Sequence, residues 1–149
     1  MVKPDMKIPR NLSAYLCLCT ASFSFNIANA QPQTIDTLEA LAWQNRLILL
    51  NGSVLPKETM TLLATEDAAI AEREIVWFWL DGEQLDSNVI SPLSITAKQQ
   101  IRNELISSNV VLIGKDGGIK LRRQTFTLAE VLQRIDSMPM RQQEMQKRN

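Results

Sequence analysis

Three acidic residues follow the most apolar segment of the chain. Asp81, Glu83 and Asp86 come directly after 75–80, a run of isoleucine, valine, tryptophan, phenylalanine and leucine. Open α/β sheets bind ligands beyond the carboxyl ends of their strands, where carboxylates can hold Ca²⁺ or act as general acids and bases. Their spacing matches no calcium-binding loop, so a solvated loop is the alternative interpretation. We keep these three residues as a candidate ligand loop.

The residue types that the chain lacks exclude much catalysis. It has no His, and its two cysteines, Cys17 and Cys19, lie among the first thirty residues. Without imidazole there is no Ser-His or Cys-His pair and no His-ligated zinc. Ser53 follows the first predicted strand, but without an imidazole base it is better interpreted as a turn or capping residue than as a nucleophile. We predict no catalytic, cofactor-binding or metal-binding residue, and whether the chain catalyses any reaction stays open.

A second group of interest lies near the end of the chain, where Met138, Met140, Arg141 and Glu144 surround Pro139. Methionines are adaptable apolar side chains, and beside a charge they suit partner binding. The alternative is that the methionines close the core. Proline fixes where the preceding helix stops, and Arg141 and Glu144 have the spacing of a helical ion pair. We predict a partner-binding segment formed by Met138, Met140, Arg141 and Glu144.

Charge argues against polyanionic partners. The full chain has 16 Lys and Arg residues against 16 Asp and Glu residues, which excludes a nucleic-acid binder driven by bulk positive charge. A short basic run at Lys120, Arg122 and Arg123 is interpreted as a charged sheet edge that blocks strand pairing. The expected partner is a protein or an envelope component, and the oligomeric state stays unknown.

Residues 1–30 have the pattern of a signal peptide. Lys3, Lys7 and Arg10 precede an apolar run of about 14 residues, which is shorter than the roughly 20 that a membrane span needs. Ala-Asn-Ala at 28–30 then places small residues at a cleavage site. We predict cleavage between Ala30 and Gln31, a periplasmic or secreted protein, no thiol for redox chemistry and no stable membrane span after processing. An uncleaved anchor is the alternative, and either Met1 or Met6 is the initiator.

Hydrophobic periodicity divides the remaining chain into alternating strands and helices. Pro56, Pro92 and Pro139 and the turn 116–118 mark the boundaries between them. The predicted elements are a short helix ending near Trp43, a strand at 46–50, a helix from Pro56 to about Arg73, a strand at 75–80, a helix starting at Ser91-Pro92, a strand at 109–113, a returning strand containing Ile119 and Leu121, and a helix from a Thr127–Glu130 capping box to before Pro139.

This order is that of a thioredoxin-like α/β fold. It predicts a mixed sheet of about four strands with helices on both faces, in one domain over residues 31–149, with a parallel pair first and an antiparallel pair last. A different small α/β sandwich with the same element order is the alternative.

Three segments carry a family resemblance. They are Trp-x-Asn-Arg at 43–46, Leu-Ile-Gly-Lys-Asp-Gly-Gly-x-Lys-Leu at 112–121 and Ile-Asp-x-Met-Pro-Met-Arg-x-x-Glu-Met at 135–145. In them the chain resembles small exported bacterial proteins with a thioredoxin-like domain of unknown function, which are similar to the peroxiredoxin-like domains of equarin and sushi-repeat secreted proteins. The resemblance implies the fold rather than an activity, and it does not extend to 51–73 or 81–94.

Two functions of different classes follow from these patterns. The first is an exported thioredoxin-like domain without redox cysteines that binds a partner or an envelope component and is not catalytic. The alternative is a carboxylate-dependent hydrolase that uses Asp81, Glu83 or Asp86 as acid or base. A cofactor-independent structural or stress protein is a third possibility. Convergence of Asp81 with another carboxylate in an enclosed pocket would favour the enzyme, whereas an open apolar surface at Met140 would favour binding.

Overall fold

A computed structural model describes residues 33–148 of the chain. A mixed sheet forms its centre, with the spatial order β3-β2-β1-β4-β5. The strands are β1 (Arg46–Asn51), β2 (Ile75–Asp81), β3 (Gln84–Ser87), β4 (Val110–Ile113) and β5 (Ile119–Arg123). Strands β1 and β2 are parallel, and all the other neighbouring strands are antiparallel. The amino ends of β1 and β2 therefore lie beside the carboxyl end of β4.

Helices cover both faces of this sheet. They are α1 (Glu58–Thr65), α2 (Asp67–Glu72), α3 (Ile95–Glu104), α4 (Leu128–Asp136) and α5 (Pro139–Arg148), preceded by a 3₁₀ turn at Leu38–Leu41. Alternate residues of a strand point to opposite faces. One face, with Ile48 and Trp77, packs against α1, α2 and α4, and the other, with Leu49 and Phe78, packs against α3.

The predicted fold class is confirmed. The four predicted strands are present, and 75–80 is covered on both faces, as its uninterrupted apolar sequence requires. The parallel β1–β2 pair and the antiparallel β4–β5 pair are also present. The architecture is consistent with a thioredoxin-like α/β fold. Strand β5 lies at the edge of the sheet, as its basic side chains indicated.

The sheet has one more strand than the pattern indicated. The predicted loop after β2 contains β3, which pairs with β2 through a tight turn at Gly82. Gly82 has a φ of 58°, a conformation that glycine adopts without steric cost. Because β3 is short, polar and exposed, its sequence is hard to distinguish from a loop. It nevertheless gives β2 a neighbour on its outer side.

Three helix boundaries differ from the prediction. The segment after Pro56 forms two helices, α1 and α2, which meet at Glu66. Helix α3 begins later than Ser91-Pro92, because the hydroxyl of Ser94 accepts a hydrogen bond from the amide of Ala97 at 3.1 Å. The chain also resumes a helix, α5, directly after Met138.

The predicted capping box before α4 is wrong. The side chain of Thr127 makes no capping hydrogen bond, although Thr127 occupies the cap position. Glu130 instead forms an ion pair with Arg123 on β5 at 2.7 Å. Arg123 on the edge strand therefore binds the carboxylate that a capping box would require.

The predicted signal peptide, its cleavage site and both cysteines lie outside the described residues. Within residues 33–148, no helix is long and apolar enough to cross a membrane.

Candidate functional site

The carboxyl ends of β1 and β2, where the acidic loop was predicted, are held by exposed hydrogen bonds. The hydroxyl of Ser53 donates to Asp81 at 3.0 Å and accepts from the amide of Gly82 at 3.1 Å. Ser53 thus ties the turn after β1 to the turn after β2. The acceptor is the carboxylate of Asp81, and both side chains are exposed, so we interpret the pair as a link between the two turns rather than as a nucleophile with its base.

The three predicted carboxylates have separate environments. Asp81 accepts from Ser53, Glu83 pairs with Arg102 of α3 at 2.6 Å, and Asp86 lies exposed on β3. No group of three or more His, Cys, Asp or Glu within residues 33–148 has the arrangement of a metal site. The geometry does not bring these carboxylates into one enclosed pocket. Their positions therefore give no support to the hydrolase alternative.

The amino ends of β1 and β2 contain a larger set of charges, much of it buried. Arg46, the first residue of β1, is only 1% exposed and donates to both carboxylate oxygens of Glu144 at 3.1 and 3.2 Å. Lys115, just after β4, pairs with the same carboxylate at 2.8 Å and with Glu74. These four side chains bind α5 to the start of β1 and the end of β4.

A second set of ion pairs adjoins the first. Arg141 is 1% exposed and binds Glu72 at 2.6 Å and Asp136 at 3.3 Å. Asp136 also pairs with Arg73 at 2.7 Å. A contact of 3.8 Å between Arg141 and Glu144, one helical turn apart on α5, joins the two sets. We call all eight side chains the amino-end charge network: Arg46, Glu72, Arg73, Glu74, Lys115, Asp136, Arg141 and Glu144.

Partner charges shift the pKa values of three members of this network. Burial disfavours the charged form of Glu144, but hydrogen bonds from Lys115 and Arg46 outweigh it and hold its pKa below the ordinary value. The hydrogen bond from Arg73 is the main cause of the lowered pKa of Asp136. For Arg141, the bonds to Glu72 and Asp136 outweigh desolvation and raise the pKa. Glu144, Asp136 and Arg141 are therefore held in their charged forms at neutral pH.

Two residues at the amino end of the sheet have left-handed backbone, one in the network and one beside it. Glu74 has a φ of 51° and Trp43 a φ of 66°, and bulky side chains rarely adopt this conformation. The amide of Trp43 donates to the carbonyl of Lys115 at 2.6 Å, while its indole is exposed. Backbone held in such sparsely populated conformations is concentrated at functional sites.

A cavity of about 240 Å³ opens next to the charge network. Buried Arg46 and Lys115 line it together with Met138, Pro139 and Met140, which we call its rim. The turn between β4 and β5 and the last turn of α4 complete the lining with Gly114, Asp116, Lys120, Arg134 and Ser137. The cavity thus joins cationic groups to an apolar rim.

The structure divides the four residues of the predicted partner-binding segment. Met138 and Met140 lie on the cavity rim, and Met140 is 37% exposed. Arg141 does not lie on the surface, and Glu144 is largely buried between Arg46 and Lys115. Met138 is half-buried and packs against the core, as the alternative interpretation expected for the methionines, so Met140 is the most exposed of the four. Partner binding by this segment stays a prediction.

Sequence reasoning missed the charge network as a unit. Its members come from six separate places in the chain, and no pair except Arg141–Glu144 has a spacing that indicates contact. The available signal was the motif segments at 43–46, 112–121 and 135–145, which contribute five of the eight residues. The ends of these strands and helices lie together only in the folded structure, so the sequence alone did not indicate their contacts.

Comparison with known proteins gives a family but no activity. The chain has no significant match among curated proteins or solved structures. A family model described as Domain of unknown function (DUF4174) matches residues 37–144, a range that ends on Glu144 and contains the whole charge network and all the cavity-lining residues. Because this match covers more than half of the sequence, the chain belongs to the DUF4174 family.

Proposed function

We propose that this chain is an exported, thioredoxin-like binding domain without catalytic activity, which holds a protein or an envelope component at the amino end of its sheet. The observation that carries the proposal is the cavity whose rim is formed by Met138, Pro139 and Met140 above buried Arg46. Methionine rims adapt to the shapes of their partners, and concave sites with a few polar groups are the usual form of binding sites.

The charge network supports this role by fixing the cavity wall. Burying ions costs several kcal/mol each, so such networks are weak evidence for stability in themselves. Here they hold α5, whose first residues Pro139 and Met140 form the rim, against β1 and the turn after β4. A binding site needs rim residues whose positions are set before the partner arrives, because ordering them during binding weakens affinity.

The thioredoxin-like relationship is supported by the strand order and by the parallel β1–β2 pair flanked by antiparallel β4 and β5. Export is supported by the signal-peptide pattern of residues 1–30. N-terminal sequencing of protein recovered from the envelope fraction should begin at Gln31. Recovery of soluble protein that retains residues 1–30 would contradict the export proposal.

The test of binding compares two exposed apolar residues. Met140 is 37% exposed on the cavity rim and Leu62 is 41% exposed on α1, outside the cavity lining. Met140→Ala should leave the free energy of unfolding within about 0.5 kcal/mol of wild type, because the side chain is a surface group. It should also reduce the capture of components from an envelope extract, while Leu62→Ala leaves capture unchanged.

Denaturant midpoints and capture yields, quantified by mass spectrometry, are measured for both variants. A loss of 2 kcal/mol or more for Met140→Ala, on the order of a buried side chain, with unchanged capture would mean that Met140 only closes the core. That result would contradict binding at this rim.

A further inference from the structure

The cavity beside the charge network has one positive charge more than its neighbours neutralise. Four cations line it, Arg46, Lys115, Lys120 and Arg134. Three carboxylates bind them: Glu144 with Arg46 and Lys115, Glu74 with Lys115, and Asp116 with Lys120 at 2.6 Å. Arg134 has no ion pair with any residue between 33 and 147, and its guanidinium Nε donates only to the carbonyl of Lys120 at 3.4 Å.

Two further features favour an anion at this position. Helix α5 begins at Pro139 on the cavity rim, and the amino end of a ten-residue helix attracts negative charge. The Nε of Arg46 is the one buried side-chain nitrogen or oxygen among the described residues that lacks a hydrogen-bond partner. Buried polar groups without partners are rare in native proteins and need an explanation, of which a missing ligand is one.

The size and rim of the cavity restrict the class of anion that it can bind. About 240 Å³ is smaller than the roughly 300–1,000 Å³ of clefts that hold drug-sized ligands, so the cavity suits a single group rather than a large cofactor. One unneutralised cation matches one negative charge. The methionine and proline rim suits an aliphatic neighbour of that charge.

We propose that this cavity binds a single carboxylate attached to a short aliphatic group, with Arg134 as the principal cation and Met138 and Met140 against the aliphatic part. This inference rests on the proposed binding function and names its ligand class. A free short-chain carboxylic acid and the carboxyl terminus of a peptide that ends in leucine share this chemistry.

The experiment titrates isotope-labelled protein with four probes at constant ionic strength, because salt screens exposed charges. Hexanoate represents the free acid, and acetyl-Gly-Leu-Leu represents the peptide terminus. Hexanamide and the tripeptide amide are their uncharged counterparts. The readout is the amide resonances of Gly114, Lys120 and Met140, which line the cavity.

One or both acids should shift these resonances and bind about tenfold more tightly than the matching amide, since a hydrogen bond between charged groups is stronger than one to a neutral amide. Arg134→Gln should weaken the binding of that acid by about the same factor. Lys57→Gln is the matched control, because Lys57 is exposed, forms no ion pair with any residue between 33 and 147 and lies beyond the opposite end of β1. It should leave binding unchanged.

The proposal is overturned if neither acid shifts the cavity resonances, if each amide binds as well as its acid, or if Arg134→Gln and Lys57→Gln behave alike. Whichever acid binds identifies the source of the carboxylate. Equal binding of acids and amides would leave an apolar binding site intact, so the inference would fail while the proposed function stands. Unchanged capture by Met140→Ala would count against the proposed function itself.

Discussion

The two ends of the central sheet use acidic side chains in opposite ways. At the carboxyl ends of β1 and β2, Glu83 is 92% exposed and pairs with Arg102 of α3. At the amino ends, Glu144 lies between Arg46 and Lys115, both buried. Both glutamates bind an arginine, but only one arginine would remain buried if its carboxylate were removed. We therefore expect burial of the partner, rather than the presence of an ion pair, to determine how much stability the protein loses when an acidic residue is removed.

The largest effect should come from removing the buried carboxylate. Glu144→Ala leaves Arg46 and Lys115 without their shared partner, and breaking a buried pair in this way costs about 3–5 kcal/mol. Glu83→Ala is the matched variant at the other end and should stay within about 0.5 kcal/mol of wild type. Urea denaturation of both variants measures the difference. Equal losses would show that the two ends do not differ in this respect.

A backbone change at the carboxyl end should have an intermediate effect. A Cβ at Gly52 would lie 2.2 Å from Nε1 of Trp79, a buried core ring, so Gly52→Ala forces the ring or the turn to move. Overpacking of this kind costs about 1–3 kcal/mol. A thermal or urea midpoint equal to that of wild type would mean that the ring has room to shift.

Acid should weaken the amino end selectively. Glu144 and Asp136 have lower pKa values folded than unfolded, so the unfolded chain binds more protons below the ordinary carboxyl pKa of about 4. Their contribution is present above that pH and is lost as the pH falls towards the folded pKa values. Glu144→Gln should start less stable and lose less on acidification from pH 6 to 3. Parallel curves of unfolding free energy against pH would contradict this assignment.

The smallest effect is expected at Ser53. Ser53→Ala removes the hydrogen bonds to Asp81 and Gly82, but both are exposed and water can replace them. We expect a loss below about 1 kcal/mol, smaller than that of Gly52→Ala next to it. A loss above about 2 kcal/mol in urea denaturation would show that a contact at the carboxyl end contributes to stability on the scale expected at the amino end.

Most of the fold could be predicted because its strands are strongly apolar. Runs such as 46–50 and 75–80 admit few placements other than a covered sheet, and the structure confirms both. Strand β3 and helix α5 could not be predicted in this way. The short polar sequence of β3 acquires its structure by pairing with β2, and α5 is mainly hydrophilic and is held by ion pairs rather than by an apolar stripe.

Less of the candidate site could be predicted, and the reason is again physical. Pattern reasoning places charged residues in solvent, because buried charges are rare without a partner. Arg46 therefore looks like the polar start of a strand, and Arg141 looks like a surface contact. Only the packing of β1, α2, α4 and α5 brings Glu72, Glu144 and their arginines together. Met138 and Met140 both line the cavity, and their role in binding stays a prediction that the capture experiment tests.

The hydrogen bond between Arg46 and Glu144 spans 98 positions of the chain, and that between Arg141 and Glu72 spans 69. Contacts between residues so distant in sequence require a long loop to close, which costs conformational entropy. During synthesis β1 emerges long before α5, so Arg46 has no carboxylate of Glu144 to bind until residue 144 has been added. The amino end of the sheet therefore cannot complete its packing before α5 is synthesised, which makes α5 the closing element of these contacts.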